Sequence, residues 1–150
     1  MSKRPAQIRR ARLGDAARIL EMEKHFPGDR FSNRAVRGFL RSPRACVLVA
    51  VDRDQVLANL VLLTRSNSKA ARIYSIVVDY PGRGRGLAKK LVASAERIAR
   101  SRGLESVTLE VREDNDPARG LYARLDYVET RRLPGFYEDG ADGLRLCKRL

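Results

Sequence analysis

A chain of 150 residues is the size of one domain. Its 43% apolar content is ordinary for a globular protein and excludes disorder as the global state. The net charge of +13 is not ordinary, and it calls for a partner that is at least partly anionic: nucleic acid, a membrane surface or a phosphorylated ligand.

Several classes drop out at once. No apolar run approaches the length of a membrane span, and the basic stretch Met1 to Arg12 lacks the apolar centre of a signal peptide. A soluble, cytoplasmic protein without a membrane partner is therefore expected. Cys46 and Cys147 each sit in an apolar run (ACVLVAV and LRLCKRL) and read as buried strand thiols. With one histidine, His25, there is no zinc constellation, and no metal is expected. His25 ends a helical pattern beside Phe26, where a capping or solvated role suits it.

In chain order, Gln7 to Leu13 reads as a short strand with a basic outer face. GDAARILEMEKHF follows as a helix with Asp15 in its first turn and Ala16, Ile19 and Leu20 at helical spacing. FPGD breaks it. SNRAVRGFLRS is a second helix, with Ser32 as its cap and Val36, Phe39 and Leu40 as its apolar stripe. ACVLVAVD and VLANLVLLTRS form a hairpin about Arg53-Asp54-Gln55, and ARIYSIVVD adds a third antiparallel strand.

The run GRGRG then leads into LAKKLVASAERIARSRG, a helix closed by Gly103. LESVTLEVRED alternates as a strand. NDPARGLYARLD is a short helix capped by Asn115 or Asp116, with Pro117 in its first turn. YVETRRL and LRLCKRL close the chain as strands, joined by the loop PGFYEDGADG. The order is βααβββαβαββ, an α/β domain over residues 1–150 with a mixed, mostly antiparallel sheet flanked by helices.

A strand, then glycines, then a helix start is a general anion trap. The first helical amides point outward unpaired, the helix dipole favours negative charge there, and glycine lets a diphosphate approach the backbone. GRGRGLAKK lacks the Gly-Lys-Ser/Thr ending of a nucleotidase phosphate loop, and its spacing does not fit the dinucleotide fingerprint.

Arg83-Gly84-Arg85-Gly86-Leu87-Ala88 has the Gln/Arg-x-x-Gly-x-Gly/Ala pattern, follows SIVVD, and precedes NDPARGLYARLDYVE by about thirty residues. Together these resemble the GNAT superfamily of N-acetyltransferases, and the element order agrees over nearly the whole chain. The resemblance implies a GNAT-like fold and acetyl-coenzyme A as co-substrate. The pantetheine arm would pair with the backbone of Ile76, Val77 and Val78. The pyrophosphate would meet the loop amides of Gly84, Arg85, Gly86, Leu87, Ala88 and Lys89, with charge from Arg83 and Arg85. One departure is visible: proline often follows Val-Asp directly in the family, whereas here Tyr80 precedes Pro81.

Acetyl transfer to an amine needs a base for the ammonium, a donor to the thioester oxygen and an acid for the leaving thiolate. By the resemblance, Tyr122 stands where the family's thiolate-protonating tyrosine stands; by its spacing alone it is a core residue beside Leu121 and Leu125. LEVR…N…A…LY is similar to a narrower group, the ribosomal-protein alanine N-acetyltransferases. That similarity implies Glu110 as base and Asn115 as a coenzyme A contact besides its cap. By alternation alone, Glu110 is a strand carboxylate facing away from Leu109 and Val111.

Two further segments echo that group: EKHFPGDRFS, which would bring Phe26 to the acceptor side, and the late loop carrying Phe136 and Tyr137. Leu125-Asp126-Tyr127 replaces the group's usual Leu-Gly-Phe, and the tryptophan often found after Phe-Pro is missing. The acceptor amine implied is a protein or peptide N-terminus. A lysine side chain or polyamine is the alternative, and a nucleic-acid-binding or acetyl-coenzyme A-sensing module without turnover is the rival of another class.

The first 44 residues carry twelve Lys/Arg against four Asp/Glu. That cluster suits either a nucleic-acid or ribosomal surface or plain solvation. The acidic EVREDND reads as a rim that attracts a cationic amine. A monomer and a homodimer are equally compatible with the sequence.

Overall fold

The computed structural model describes residues 5–24 and 33–150. Seven strands form one sheet: β1 (Gln7–Arg10), β2 (Ala45–Asp52), β3 (Gln55–Leu63), β4 (Ala70–Val78), β5 (Ser106–Arg112), β6 (Val128–Leu133) and β7 (Gly143–Arg149). Four helices join them: α1 (Ala16–Lys24), α2 (Asn33–Arg41), α3 (Leu87–Ser101) and α4 (Asp116–Arg124). Their order is the one expected, and the sheet runs β1-β2-β3-β4-β5-β7-β6.

Two short 3-10 turns, Leu13–Asp15 and Tyr80–Gly82, were not foreseen. The first ends β1 three residues early, because the Asp15 carboxylate turns back to accept from the Arg12 amide at 2.7 Å. Arg9 also donates to Asp15 at 2.8 Å. β3 likewise stops at Leu63 and not at Ser66, since its partner β2 begins at Ala45. Residues Arg53 and Asp54 take φ of 49° and 67°, the left-handed pair that a two-residue hairpin turn between twisted strands requires. The expected cap Ser32, together with His25 and Phe26, lies outside the described residues.

The sheet separates two apolar layers. On one face α3 lays Leu87, Leu91, Val92, Ala95 and Ala99 against Leu60, Leu62, Val107 and Leu109. On the other, Ile19, Met22 and Val36 of α1 and α2 cover Val47, Val49, Val61 and Val77. Cys46 is buried as expected. Cys147 is only half-buried, because it points away from the α3-side layer that takes its neighbours Leu144 and Leu146.

Among the described residues β4 and β5 form the one parallel pair, and it is short. Ala70 to Ile73 pair with Ser106 to Leu109; beyond that β4 continues to Val78 and β5 to Arg112 without pairing. A bulge marks the parting. Across β3 and β4, Val61 faces Ser75 while Leu62 faces Ile73, so Tyr74 is an extra residue. The extra residue puts Tyr74 and Ser75 together on the α1–α2 face. The Tyr74 ring meets that of Phe39 of α2 at a tilt, 5.3 Å between centroids, and Ser75 donates to Glu23 of α1 at 3.0 Å. Ile76 then returns to the α3 side.

Glu23 is 5% exposed, and burial pushes its carboxyl above the usual range despite the Ser75 hydrogen bond. A carboxyl raised on folding contributes its full stability below its ordinary pKa and loses it as pH rises through the folded value. Glu23→Gln, which keeps an acceptor for Ser75, should therefore melt higher than the parent at pH 7. Thermal melts across pH should show the gap closing as pH falls below the ordinary glutamate range.

Candidate active site

The parting of β4 and β5 leaves a wedge of about 270 Å3 between them. Ile73, Tyr74, Ser75 and Ile76 line one wall, with Leu109, Glu110 and Val111 on the other. Asn115, Ala118 and Tyr122 of α4 contribute too, and Tyr137 reaches in from the β6–β7 loop. The wedge opens toward the carboxyl ends of both strands. One strand leads there into the glycine loop and α3, the other into α4, so both helix starts flank the opening. A crevice between diverging strand ends is the general binding place of α/β sheets. From Ser75 to Val78 the β4 edge facing β5 has no strand partner among the described residues. Ile76 lies on the wedge wall, while Val77 and Val78 continue the same free edge beyond it.

The loop is held from outside. Asp79 accepts from the Tyr80 amide at 2.8 Å and from Arg18 at 2.7 Å. Arg85 donates to Asp52 at 3.1 Å, so its guanidinium is tied to the end of β2. Arg83 lies over the Tyr80 ring at 4.2 Å. Gly84 and Gly86 have φ of 77° and 70°, and Gly86 is the N-terminal cap of α3. The first bond into the helix runs from the Lys90 amide to the Gly86 carbonyl at 3.1 Å. The amides of Gly84, Gly86, Leu87, Ala88 and Lys89 therefore donate to no acceptor among the described residues, which is the arrangement that receives a phosphate.

Tyr122 is 5% exposed, and its ring meets Tyr127 edge-on at 5.7 Å. Burial pushes its hydroxyl up to about 12, so it is a proton donor at neutral pH. Tyr127, the residue at the family's usual phenylalanine, is tied down. It donates to Glu96 at 2.9 Å, and Lys148 donates to the same carboxylate at 2.9 Å. Burial and the Glu96 charge push the Tyr127 hydroxyl up further. Asp126 takes the left-handed φ of 72° that the usual glycine there would adopt freely.

Glu110 faces the α1–α2 side as alternation requires, with its side chain 8% exposed. Arg72 Nε donates to it at 3.1 Å, and Arg145 approaches at 3.5 Å. Neither arginine was anticipated. They come from β4 and β7, the strands on either side of β5, and only the sheet order brings them to Glu110. Asn115 caps α4 by accepting from the Ala118 amide at 3.2 Å, and it also lines the wedge. Phe136 packs edge-on to Tyr137 at 5.0 Å but is 41% exposed and stays off the wedge wall. The acidic segment does not present a bare negative rim. Arg112 pairs with Asp114 and Asp139, and Arg132 with Glu113 and Asp142. Among the described residues no group of His, Cys, Asp and Glu is placed to hold a metal ion, and no helix is long and apolar enough to cross a membrane.

A family model described as the acetyltransferase (GNAT) family matches residues 14–127. The chain belongs to that family. The resemblance carried by Arg83–Lys89 and by the segment from Asn115 to Tyr127 is thus borne out, and so is the fold that it implied. The chain is 35% identical over 106 residues to "N-alpha-acetyltransferase MAK3" of Arabidopsis thaliana, across 69% of this chain and 55% of that protein. It therefore spans about half the length of that curated relative. Its fold superimposes on the ribosomal-protein-S18-alanine N-acetyltransferase of Escherichia coli with a TM-score of 0.86 and 20% identity, covering 96% of this chain and 93% of that one. Arabidopsis thaliana NAA60, solved in complex with acetyl-CoA, gives 0.86 and 20% over 97% and 98% of the two chains. Identities this low establish the shared GNAT fold and nothing finer.

An alanine at Gly84 or Gly86 meets open space but must hold a left-handed backbone, which costs on the order of 1–2 kcal/mol and re-aims the free amides. The double variant Gly84→Ala/Gly86→Ala should raise the KM for acetyl-CoA by roughly tenfold while kcat stays within about a factor of two, as loss of uniform binding requires. Steady-state kinetics with varied acetyl-CoA will show which parameter moves.

Proposed function

We propose that this chain transfers the acetyl group of acetyl-CoA directly to a primary amine, an α-amino group at a protein or peptide N-terminus. The observation that carries the reading is the wedge itself. A free strand edge, a run of unpaired helix-start amides, a buried tyrosine and a carboxylate meet around one crevice. Each part matches one need of a long anionic thioester and its acceptor. Unpaired amides suit the diphosphate, and the β4 edge suits the amide groups of the pantetheine arm. An N–H on that edge would polarise the thioester carbonyl. Acetyl-CoA is a substrate of the reaction.

In this reading the neutral amine attacks the thioester carbon. A C–N bond forms and the C–S bond breaks, and the thiolate leaves with the electron pair. Glu110 takes the ammonium proton before attack, directly or through water. Tyr122 gives its proton to the sulfur, and the second proton, which the nitrogen sheds on becoming an amide, returns through water to the Tyr122 oxygen. An ordinary thiol is a stronger acid than a tyrosine pushed up to about 12. The desolvation that raises Tyr122 acts equally on a thiolate buried beside it and narrows that difference. Arg72 and Arg145 hold the Glu110 carboxylate in place from either side. They also disfavour a second positive charge close by, which supports an α-amine over a polyamine. The match to an N-alpha-acetyltransferase agrees with this choice. A cytoplasmic location fits such an acceptor.

Tyr122→Phe should lower kcat by about 10²–10³-fold with acetyl-CoA binding intact, since one positioned proton donor is worth that much. The tyrosine stays protonated below about pH 12, so the parent's kcat should show no basic limb from it in the neutral range. Thiol release with peptides of varied N-termini, and mass-spectrometric location of the acetyl group, test both statements. Acetyl found only on lysine Nζ would refute the α-amine assignment.

A further inference from the structure

A second cavity of about 310 Å3 lies on the α1–α2 side of the sheet, beyond the foot of the wedge. Arg65, Ser68, Arg72, Thr108, Glu110 and Arg145 bound it. Glu110 lines both cavities, so a group bound in the second one lies next to whatever amine meets Glu110 in the first. Three guanidiniums face this space with a single carboxylate among them. That carboxylate takes one N–H from Arg72 and a longer contact from Arg145, and both side chains are more than a third exposed. A guanidinium has five donors, so both keep further N–H groups for another acceptor. Arg65 is exposed at the end of β3 and pairs with no carboxylate among the described residues. The hydroxyl of Thr108 adds a further donor in the wall.

We infer that this cavity is an acceptor subsite for a carboxylate carried next to the reacting amine, the side chain of Asp or Glu within the first residues of the peptide. The inference rests on the acetyltransferase reading of the wedge and deepens it by naming the acceptor class. A planar guanidinium fork matches a carboxylate in two parallel hydrogen bonds, and the excess positive charge of the walls favours an anion. One extended residue spans about 3.5 Å, so a side chain one or two positions after the amine reaches an adjoining cavity. Glu110 forms one wall, which favours a singly charged carboxylate over a phosphate dianion. The α-carboxylate of a free amino acid offers the same chemistry, and only the assay separates the two sources.

The test uses the full chain with saturating acetyl-CoA and matched peptides bearing Asp or Asn, and Glu or Gln, at positions one to three, with free aspartate and glutamate alongside. Calorimetric binding of the same peptides to the CoA-loaded protein runs in parallel and needs no turnover. The expected result is a KM and a Kd at least about tenfold lower for the acidic member of a pair at one position, fading as salt is raised. Arg65→Glu, a residue outside the proposed catalytic set, should abolish that preference and leave the Asn and Gln peptides unchanged. Preference for a free amino acid over every peptide assigns the subsite to an α-carboxylate. Equal KM and Kd within each pair overturns the subsite even if α-amines are acetylated. A preference that survives Arg65→Glu overturns its placement in this cavity. Tight, selective binding of acidic peptides without transfer leaves the subsite standing and refutes the acetyltransferase reading alone.

Discussion

Everything at this site follows from a shortage of hydrogen bonds at one place in the sheet. β4 and β5 pair for four residues and then separate, leaving the β4 edge from Ser75 to Val78 without a strand partner among the described residues. Peptide groups left unpaired away from water are costly, so such an edge persists only where water or a ligand completes it. The bulge at Tyr74 enforces the separation. It adds one residue to β4 against β3, bends the strand and increases its twist, so the strand cannot stay in register with β5. Apolar packing holds both strands, with Ile73 and Leu109 in the α3-side core and Val77 of β4 in the other. The wedge is thus rigid by packing and hungry by hydrogen bonding, which is the combination a positioned substrate needs.

The high net charge is spread less evenly than composition suggests. Arg9 is bound to Asp15, Arg18 to Asp79, Arg85 to Asp52, Arg119 to Glu129, and Arg112 and Arg132 each to two carboxylates. Several of these pairs hold loops and turns at the rim of the wedge. The exposed pairs of Arg112, Arg119 and Arg132 add little to global stability, whereas Arg18–Asp79 and Arg85–Asp52 are partly buried. Their role is local: Arg18 and Asp79 brace the entry to the glycine loop, and Arg112, with Asp139, braces the loop that brings Tyr137 into the wedge. At Glu110 the balance reverses, and more guanidinium than carboxylate faces the cavity beside it.

The elements were legible in the sequence because each carries a clean period. The helices and strands of the described residues follow the expected order, and of the two caps the sequence offered for α4, Asn115 and Asp116, the structure uses Asn115. The 3-10 turns were not legible, since each is set by one aspartate folding its carboxylate back on a neighbouring amide. The bulge at Tyr74 left no mark either, because an extra residue in a strand shows only against its partner. Tyr122, Glu110 and Asn115 were found through a motif and do converge on one crevice. Arg72 and Arg145 were missed because they lie thirty-five or more residues from Glu110 in sequence and meet it only through the order β4-β5-β7. Tyr74 and Ser75 directly precede the strand residues taken as the cofactor wall, and extending that wall toward the amino end would have found them.

The replacement of the family's usual Leu-Gly-Phe by Leu125-Asp126-Tyr127 brings two adjacent tyrosines into one pocket with different fates. Tyr127 carries a hydroxyl into a core, which is tolerable only with an acceptor, and Glu96 on α3 supplies one. Glu96 is itself buried and needs a cation, which Lys148 on β7 supplies. One added oxygen thus links α3, the turn after α4 and the last strand. The hydroxyl of Tyr127 is committed to this network, while that of Tyr122 donates to no acceptor among the described residues. The edge-on contact between the rings fixes where Tyr122 points. The leaving-group acid role proposed for Tyr122 needs a ring held in place and a proton with no competing acceptor, and the edge-on contact with the locked Tyr127 supports the first.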